Sequence, residues 1–357
     1  MALRKVSLLI LFLLGVQLLC ARQIRFVFVS DLHYGLTREF RGREGVSSDE
    51  VCRTMADSLL ALQDRCFPDD GGVGARERVG AFDFVVCGGD IANRMEEGVQ
   101  PAAASWTQFE RTWYAPHFPI LYVLPGNHDI SNAIGYTRPL SPARDATSIA
   151  QIYNRTMHPA EPATDDTYDY ARDRIRGVFV CEGIGFAFAG MWPDSQMRAW
   201  LDGQLCDSIP CLLFSHAEPE MEAKRFTNPY GDHSINRTDG FENLVCDTCS
   251  VGRKEKPLRE YRDMAAFLRR HAEVKAWFHG HTNYNEYYRW LGPDGDLDLP
   301  VFRVDSPMKG EVSEGDESQL SFQVVTVDPE MRRMTVREYR WNSTGAAMWG
   351  ASRTVDL

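Results

Sequence analysis

The chain has 357 residues, of which 44% are hydrophobic and 25% are charged, and its formal net charge at pH 7 is −11. This composition is typical of a globular protein, and the length allows one large domain with a substantial core. Lys and Arg supply most of the affinity of proteins for nucleic acids by neutralising phosphates. An acidic chain without a basic stripe is therefore not expected to have a nucleic-acid partner.

The first 21 residues have the pattern of a secretory signal peptide, with basic residues at the start, a short apolar segment, and small residues at Cys20 and Ala21. The apolar segment is too short for a comfortable membrane span, and the C-terminus lacks the hydrophobic tail of a lipid-anchor signal. We therefore expect no stable transmembrane anchor. The predicted location is outside the cell or in the lumen of the secretory or lysosomal pathway, with an uncleaved anchor as the alternative.

Strands and helices alternate through the first part of the remaining chain, residues 22–357. Apolar, β-branched and aromatic segments predict strands at residues 24–30, 82–87 and 120–124. A helix is predicted after the first strand, because Ser47 and Glu50 fit a capping box. Pro101 begins a second helix. Residues 131–174 are rich in proline and polar residues without clear periodicity, which predicts an irregular surface insertion.

The second part of the chain continues the alternation and then ends in strands. Helices are predicted at residues 196–205 and from Pro257, and a second irregular insertion spans residues 218–256. Strands are predicted at residues 184–191, 211–215, 274–278, 301–305, 321–327 and 334–341. Because alternating strands and helices are followed by antiparallel strands, we expect one α/β domain with mixed sheets flanked by helices.

The cysteines and sequons are those of a secreted chain. Without Cys20, eight cysteines remain, and an even number in a secreted protein suggests disulfides. The short-loop candidates are Cys52 with Cys66, Cys206 with Cys211, and Cys246 with Cys249. The last pair also resembles half of a zinc site, but no second pair stands at the usual spacing. Cys87 lies in a predicted buried strand and is expected to be a free thiol. Sequons that predict surface glycosylation begin at Asn154, Asn236 and Asn342.

Five apolar segments each end in a residue that can bind a metal ion. The five blocks are Asp31-Leu32-His33, Gly88-Gly89-Asp90, Gly126-Asn127-His128-Asp129, Ser215-His216 and Gly280-His281-Thr282-Asn283. Loops at the carboxyl ends of buried strands are where α/β folds place their ligands. Asp, Asn and His offer oxygen and nitrogen donors to divalent or trivalent metals. One such block is weak evidence, but five in this order predict a metal site.

The order of the five blocks resembles the calcineurin-like metallophosphoesterases, whose pattern is D-x-H, G-D, G-N-H-D/E, H and G-H-x-H. The resemblance runs from about residue 24 to residue 283. It implies two stacked mixed β-sheets flanked by helices, an α/β/β/α sandwich. Purple acid phosphatases carry a tyrosine three residues after the bridging Asp, where this chain has Asn93. A ferric–tyrosinate site is therefore not expected. With its opening Asp-x-His, its Gly-His-Thr and its signal peptide, the chain looks closer to the secreted acid sphingomyelinase-like and general phosphodiesterase branches.

The resemblance implies two metal ions, with Mn, Zn and Fe as candidates, and a phosphate-ester substrate. The implied ligands are Asp31, His33 and Asp90 for the first metal, and Asp90, Asn127, His216 and His281 for the second. His128 is expected to assist the leaving group, and Asp129 to fix the tautomer of His128. Three loop arginines, Arg38, Arg41 and Arg43, are alternative contacts for a substrate phosphate, although a solvated loop face is the favoured interpretation.

Asn283 is the one departure from the family pattern, which has a histidine at this position. An amide oxygen is a weaker and harder donor than imidazole, so Asn283 ligates weakly, or water replaces it, or the first site is empty. His279 is a possible substitute, but its place within a strand favours a packed side chain.

The predicted function is hydrolysis of a phosphomonoester or phosphodiester by a metal-bridging hydroxide. The alternative is a non-catalytic binding protein on the same fold, with its first metal site impaired at Asn283. A nucleic-acid phosphodiesterase is disfavoured by the acidic charge.

Overall fold

The computed structural model describes residues 22–93, 99–130, 145–170, 172–221 and 258–357. Four features predicted from the sequence lie wholly or mostly outside these residues: the signal peptide, the pair Cys246 and Cys249, the sequon at Asn236, and the insertion at residues 218–256. Among the described helices, none combines the length and the apolar character that spanning a bilayer requires.

The strands are β1 (Ile24–Val29), β2 (Thr37–Phe40), β3 (Arg43–Ser47), β4 (Phe84–Cys87), β5 (Ile120–Val123), β6 (Gly177–Cys181), β7 (Ile184–Phe188), β8 (Cys211–Phe214), β9 (Val274–His279), β10 (Glu286–Trp290), β11 (Leu299–Arg303), β12 (Ser321–Asp328), β13 (Arg333–Arg340) and β14 (Trp349–Asp356). The helices are α1 (Ser48–Leu62), α2 (Ala102–Trp113), α3 (Asn127–Ile130), α4 (Thr147–Met157), α5 (Ser195–Asp202) and α6 (Leu258–Arg270).

Two six-stranded mixed sheets form the centre of the structure. The first has the order β14-β13-β12-β1-β4-β5, in which β1, β4 and β5 run parallel and β12 to β14 are antiparallel. The second has the order β10-β11-β9-β8-β7-β6, with parallel inner strands and an antiparallel strand at each edge. These mixed sheets with their helices confirm the predicted fold class.

The central strands are buried on both faces because their side chains alternate between two cores. Phe26 of β1 packs between the sheets, where its ring centroid lies 5.1 Å from that of Phe84 and 5.9 Å from that of Phe214 in the second sheet. Val27 and Val29 point to the other side and belong to the cluster that includes the buried face of α1. The continuous apolar sequences of these strands follow from this double burial.

Some elements were not predicted. Helix α4 lies inside the region that was expected to be irregular, so that prediction is wrong here. Its apolar pattern is short, with Ile149 and Ile152 buried and polar residues around them. Strands β10 and β14 lie at sheet edges, and most of their side chains are not buried. An edge strand of this kind lacks the apolar run that identifies a central strand.

The described cysteines are free thiols, so the predicted pairs Cys52 with Cys66 and Cys206 with Cys211 are wrong. In each pair one cysteine is buried and the other exposed: Cys52 lies on the buried face of α1, and Cys211 lies in β8. Cys87 is a buried free thiol in β4, as predicted.

The connection between α6 and β9 carries a histidine between two carboxylates. His271 lies with Nε2 2.7 Å from Oδ1 of Asp202 and Nδ1 2.7 Å from Oε1 of Glu273. Burial alone would lower the pKa of His271, but the hydrogen bonds to Asp202 and Glu273 outweigh it and raise the pKa. The folded pKa therefore lies above the unfolded value of about 6.5. The resulting stabilisation is fully present below that pH and is lost as the pH rises through the folded pKa.

We therefore expect His271→Gln to lower the free energy of unfolding more at about pH 5.5 than at about pH 8.5. Urea denaturation at both pH values measures this difference. His117→Gln, at an exposed position, serves as the control. If the substitution lowers the free energy of unfolding equally at the two pH values, the carboxylates do not stabilise the charged form of His271.

Candidate metal centre

The loops that follow β1, β4, β5, β8 and β9 meet at the carboxyl ends of these strands. Backbone hydrogen bonds fasten them to one another: the N–H of Asp31 donates to the carbonyl of Gly89 at 2.9 Å, and that of His33 to the carbonyl of Asp90 at 2.9 Å. In the second sheet the N–H of Gly280 donates to the carbonyl of His216 at 3.0 Å. The structure thus brings the five sequence blocks together.

Asp90 lies at the centre of this cluster. Its Oδ2 is 3.5 Å from Nε2 of His216, 3.8 Å from Nε2 of His33 and 3.9 Å from Nε2 of His128. Two groups of three residues have their ligand atoms within 4.8 Å of one another: His33, Asp90 and His128 form one, and Asp31, Asp90 and His216 the other. Asp90 belongs to both groups, which places its carboxylate to be shared by two ions. The groups divide the other residues differently from the predicted ligand sets, because Asp31 falls with His216 and His33 falls with His128.

The predicted ligands of the second metal converge on one point. Nδ1 of His216 lies 2.8 Å from the carbonyl oxygen of Gly88, which directs Nε2 into the site. That Nε2 is 3.2 Å from Oδ1 of Asn127 and 3.2 Å from Nδ1 of His281. Ligand atoms around a tetrahedral ion with bonds of about 2.0–2.1 Å stand roughly 3.3 Å apart. The spacing of these donors therefore fits a bound metal ion.

The first site also has donors without protein partners. Oδ1 of Asp31 is buried and accepts no hydrogen bond, whereas Oδ2 accepts one from the N–H of His281 at 2.8 Å. Oδ1 of Asn283 is likewise buried without a hydrogen-bond partner. An unsatisfied buried oxygen is costly, and a cation satisfies it. The position of Asn283 thus fits a metal ligand even though it is not a histidine.

Burial makes the charge of this site unfavourable in the absence of a cation. Burial raises the pKa of Asp31 and of Asp90 above the ordinary range, and the positive charge of Lys309 offsets part of that rise. Burial would lower the pKa of His216, but the neighbouring carboxylates of Asp90 and Asp31 outweigh it and raise the pKa. Carboxylates that are desolvated next to one another are stabilised by metal ions.

Several ligands sit on strained backbone. Left-handed φ angles occur at five of the seven predicted ligand residues, namely Asp31 (57°), His33 (44°), Asp90 (51°), His281 (70°) and Asn283 (57°). Such conformations cost about 1–3 kcal/mol each and concentrate at functional sites. Glycine is needed beside them: a Cβ on Gly126 would lie 2.1 Å from Oδ1 of Asp90.

His128 lies at the mouth of the cluster, with 12% of its side chain exposed. Its backbone N–H donates to Oδ1 of Asp90 at 2.7 Å, which fixes the residue next to the ligands. Its imidazole meets that of His33 edge to face, with ring centroids 4.7 Å apart. A partly exposed imidazole at this position can give a proton to a bound molecule.

Asp129 supports the loops. Its carboxylate accepts hydrogen bonds from the N–H groups of Ile91 at 3.1 Å and Gly126 at 3.0 Å, and from Oγ of Ser148 at 2.5 Å. Burial raises its pKa to about 6. These contacts join the loops after β4 and β5, a role that the sequence did not suggest. The predicted action of Asp129 on the tautomer of His128 stays a prediction.

Two more residues near the site were missed by the sequence interpretation. Oγ of Ser306, in the loop after β11, donates to the carbonyl of Asp31 at 2.7 Å. Nζ of Lys309 donates to Oδ1 of Asn93 at 2.9 Å. Serine and lysine outside a motif carry no local signal, and only the fold places them beside the ligands.

Other candidates from the sequence have structural roles. His279 is buried in β9 with Nε2 3.0 Å from the hydroxyl of Tyr288, and burial lowers its pKa to about 3. It is a packed strand residue, as predicted. Arg38 donates to the carbonyl of Pro307 at 2.6 Å, so this arginine fastens a loop to the hairpin of β2 and β3. Arg41 and Arg43 likewise bond to Asn342 and Glu50, respectively.

Comparisons with known proteins point to one family. The family model described as calcineurin-like phosphoesterase matches residues 24–284. A dimetal phosphatase from Danio rerio shares the fold with a TM-score of 0.51 at 13% identity, over 93% of this chain and 98% of that one. A purple acid phosphatase from yellow lupin (Lupinus luteus) has a TM-score of 0.49 at 10% identity, over 94% of this chain and 54% of that longer one. No curated protein sequence matches the chain.

Proposed function

This chain belongs to the calcineurin-like phosphoesterases, and on that premise we propose that it hydrolyses a phosphomonoester or phosphodiester with two metal ions. The observation that carries the proposal is the position of Asp90, whose carboxylate belongs to both groups of ligand atoms. Two bound metal ions would lower the pKa of a shared water and neutralise the phosphoryl oxygens.

Different residues of the site would have different roles in this reaction. Asp31, His33 and Asn283 would hold the first metal and Asn127, His216 and His281 the second, with Asp90 common to both. His128 reaches the mouth of the site and would donate a hydrogen bond or a proton to the leaving oxygen. Asp129 would keep the loop of Asn127 and His128 in register with the loop of Asp90 through its backbone contacts.

The alternative, a binding protein with an impaired first site, depends on Asn283 being unable to ligate. The buried Oδ1 of Asn283 lacks a hydrogen-bond partner, which favours a ligand over an eroded position. We therefore rank the enzyme above the binding protein.

The test is metal content followed by activity. Elemental analysis of protein secreted from a eukaryotic host and purified without chelators is expected to give two metal ions per chain. Hydrolysis of p-nitrophenyl phosphate or of bis(p-nitrophenyl) phosphate is expected to disappear with a chelator and to return with Mn, Zn or Fe. Circular dichroism controls for the fold after chelation. A folded chain with two metals that cleaves neither ester would favour the binding protein.

We further propose that the protein enters the secretory pathway, as its first residues and its sequons suggest, and that residues 22–357 form one domain of the acid sphingomyelinase-like or general phosphodiesterase kind. N-terminal sequencing of protein from a eukaryotic culture medium tests the location. A mature chain starting near Arg22 is the expected result. Protein retained inside the cell with Met1 intact would contradict it.

A further inference from the structure

The loop after β11 is fastened to two of the predicted ligands of the first metal, Asp31 and Asn283. Ser306 donates from Oγ to the carbonyl of Asp31 at 2.7 Å, and the N–H of Glu311 donates to the carbonyl of Asn283 at 2.7 Å. Lys309 lies between these two anchors, and its own N–H donates to Oγ of Ser306 at 2.9 Å. The backbone of this loop therefore holds Lys309 beside the ligands of the first site.

The side chain of Lys309 is also held in place. Its Nζ donates to Oδ1 of Asn93 at 2.9 Å, and Asn93 is only 3% exposed. Asn93 is fixed in turn, because its N–H donates to the carbonyl of Tyr34 at 2.9 Å. A lysine side chain loses up to about 2 kcal/mol of rotamer freedom when it is ordered, and surface lysines usually keep that freedom. Here Lys309 is half-buried, and its ammonium is held against Asn93, three residues after Asp90.

We propose that Lys309 binds a phosphoryl oxygen of the substrate on the side of the first metal, with Asn93 as its positioning residue. The inference rests on the proposed function and names a further residue of the same site. Around the first site the chain offers the carboxylates of Asp31 and Asp90 and the neutral amide of Asn283. A fixed ammonium beside them is a point charge for a phosphate oxygen, as lysines are in many phosphate sites.

The experiment described below also distinguishes two other roles for the ammonium of Lys309. If the ammonium only braces the loop, its removal lowers thermal stability and leaves phosphate affinity unchanged. If the ammonium takes the place of a metal ion, its removal raises the number of metals bound. Either outcome would overturn the proposal.

The experiment compares Lys309→Met, Lys309→Arg, Asn93→Ala and Lys275→Met in the full chain loaded with metal. Lys275 is the matched control, because it is the other lysine in the described part of the chain and lies near the amino end of β9. Calorimetry measures the Kd of inorganic phosphate. We expect Lys309→Met to weaken binding roughly 10- to 100-fold, the range of a charge-assisted hydrogen bond. Lys309→Arg and Lys275→Met are expected to stay within a few fold, and Asn93→Ala to lie between.

Metal content is expected to be unchanged in all four variants. For an aryl phosphate, Lys309→Met is expected to raise KM more than it lowers kcat, because the contact is already present in the bound substrate. Phosphate binding does not depend on turnover. A wild type that binds phosphate through Lys309 but cleaves no ester keeps this proposal and removes the proposed function. A wild type that cleaves esters but binds phosphate with the same affinity as Lys309→Met keeps the proposed function and overturns the proposal for Lys309.

Discussion

Asp90→Ala is expected to lower kcat/KM for an aryl phosphate by roughly a thousandfold or more, since several kcal/mol of transition-state stabilisation depend on the metals. Asp90 is the residue shared by both groups of ligand atoms, so its loss weakens both sites at once. Its Oδ1 also accepts from the N–H of His128 at 2.7 Å, and the variant releases that contact. Steady-state kinetics together with elemental analysis measure both effects.

The matched control for Asp90→Ala is Asp356→Ala, which makes the same chemical change at a side chain that is 92% exposed on β14. Circular dichroism and a thermal melt are expected to show that both variants keep the wild-type fold. If Asp90→Ala keeps two metals and an activity within a few fold of wild type, Asp90 is not the shared ligand. A variant that unfolds calls for Asp90→Asn, which keeps the shape of the side chain.

The second large effect is expected at position 283. Asn283→Ala removes the buried oxygen that has no protein partner, and the affinity for one of the two metals is expected to fall on the order of tenfold or more, or about 1.4 kcal/mol. Asn283→His supplies the stronger donor of the family pattern and is expected to raise the affinity for the same metal. Metal content after dialysis against increasing chelator measures both changes.

Asn285→Ala makes the same change two residues along the loop, where the amide oxygen already accepts from Gln323 at 3.0 Å. Its metal content is expected to equal that of the wild type. If Asn283→Ala and Asn283→His both retain metal as the wild type does, water or another group completes the first site. That result would also weaken the reason for giving Asn283 a place among the ligands.

The candidate site could be predicted largely because its signals are local. Each block combines an apolar strand with a ligand residue a few positions after it, as in Val29 of β1 followed by Asp31. Burial and side-chain type are both readable from a few adjacent residues. The fold class followed from the same strands. The missed parts depend on contacts between distant segments: Ser148 with Asp129, and Ser306 with Asp31.

The wrong predictions have the same origin. Sequence spacing suggests the disulfide pairs, but spacing does not show that Cys52 faces the core while Cys66 is exposed. Strand β14 was missed because its side chains are mostly exposed, and it becomes a strand by pairing with β13. Pairing with a neighbour stabilises such a strand, whatever its own sequence favours.

Residues that are far apart in the sequence meet at the metal centre, and this separation limits when the centre can form. The N–H of His281 donates to a carboxylate 250 positions earlier, at Asp31. From still further along the chain, Ser306 bonds to Asp31 and Glu311 bonds to Asn283. Chains are synthesised from the N-terminus, and contacts of this separation can close only once both partners have left the ribosome. If the proposed metals bind, their capture at the complete centre is expected to be a late event that follows synthesis of most of the polypeptide. A chain truncated before residue 306 would lack the Ser306 and Glu311 contacts that fasten this loop to the first site.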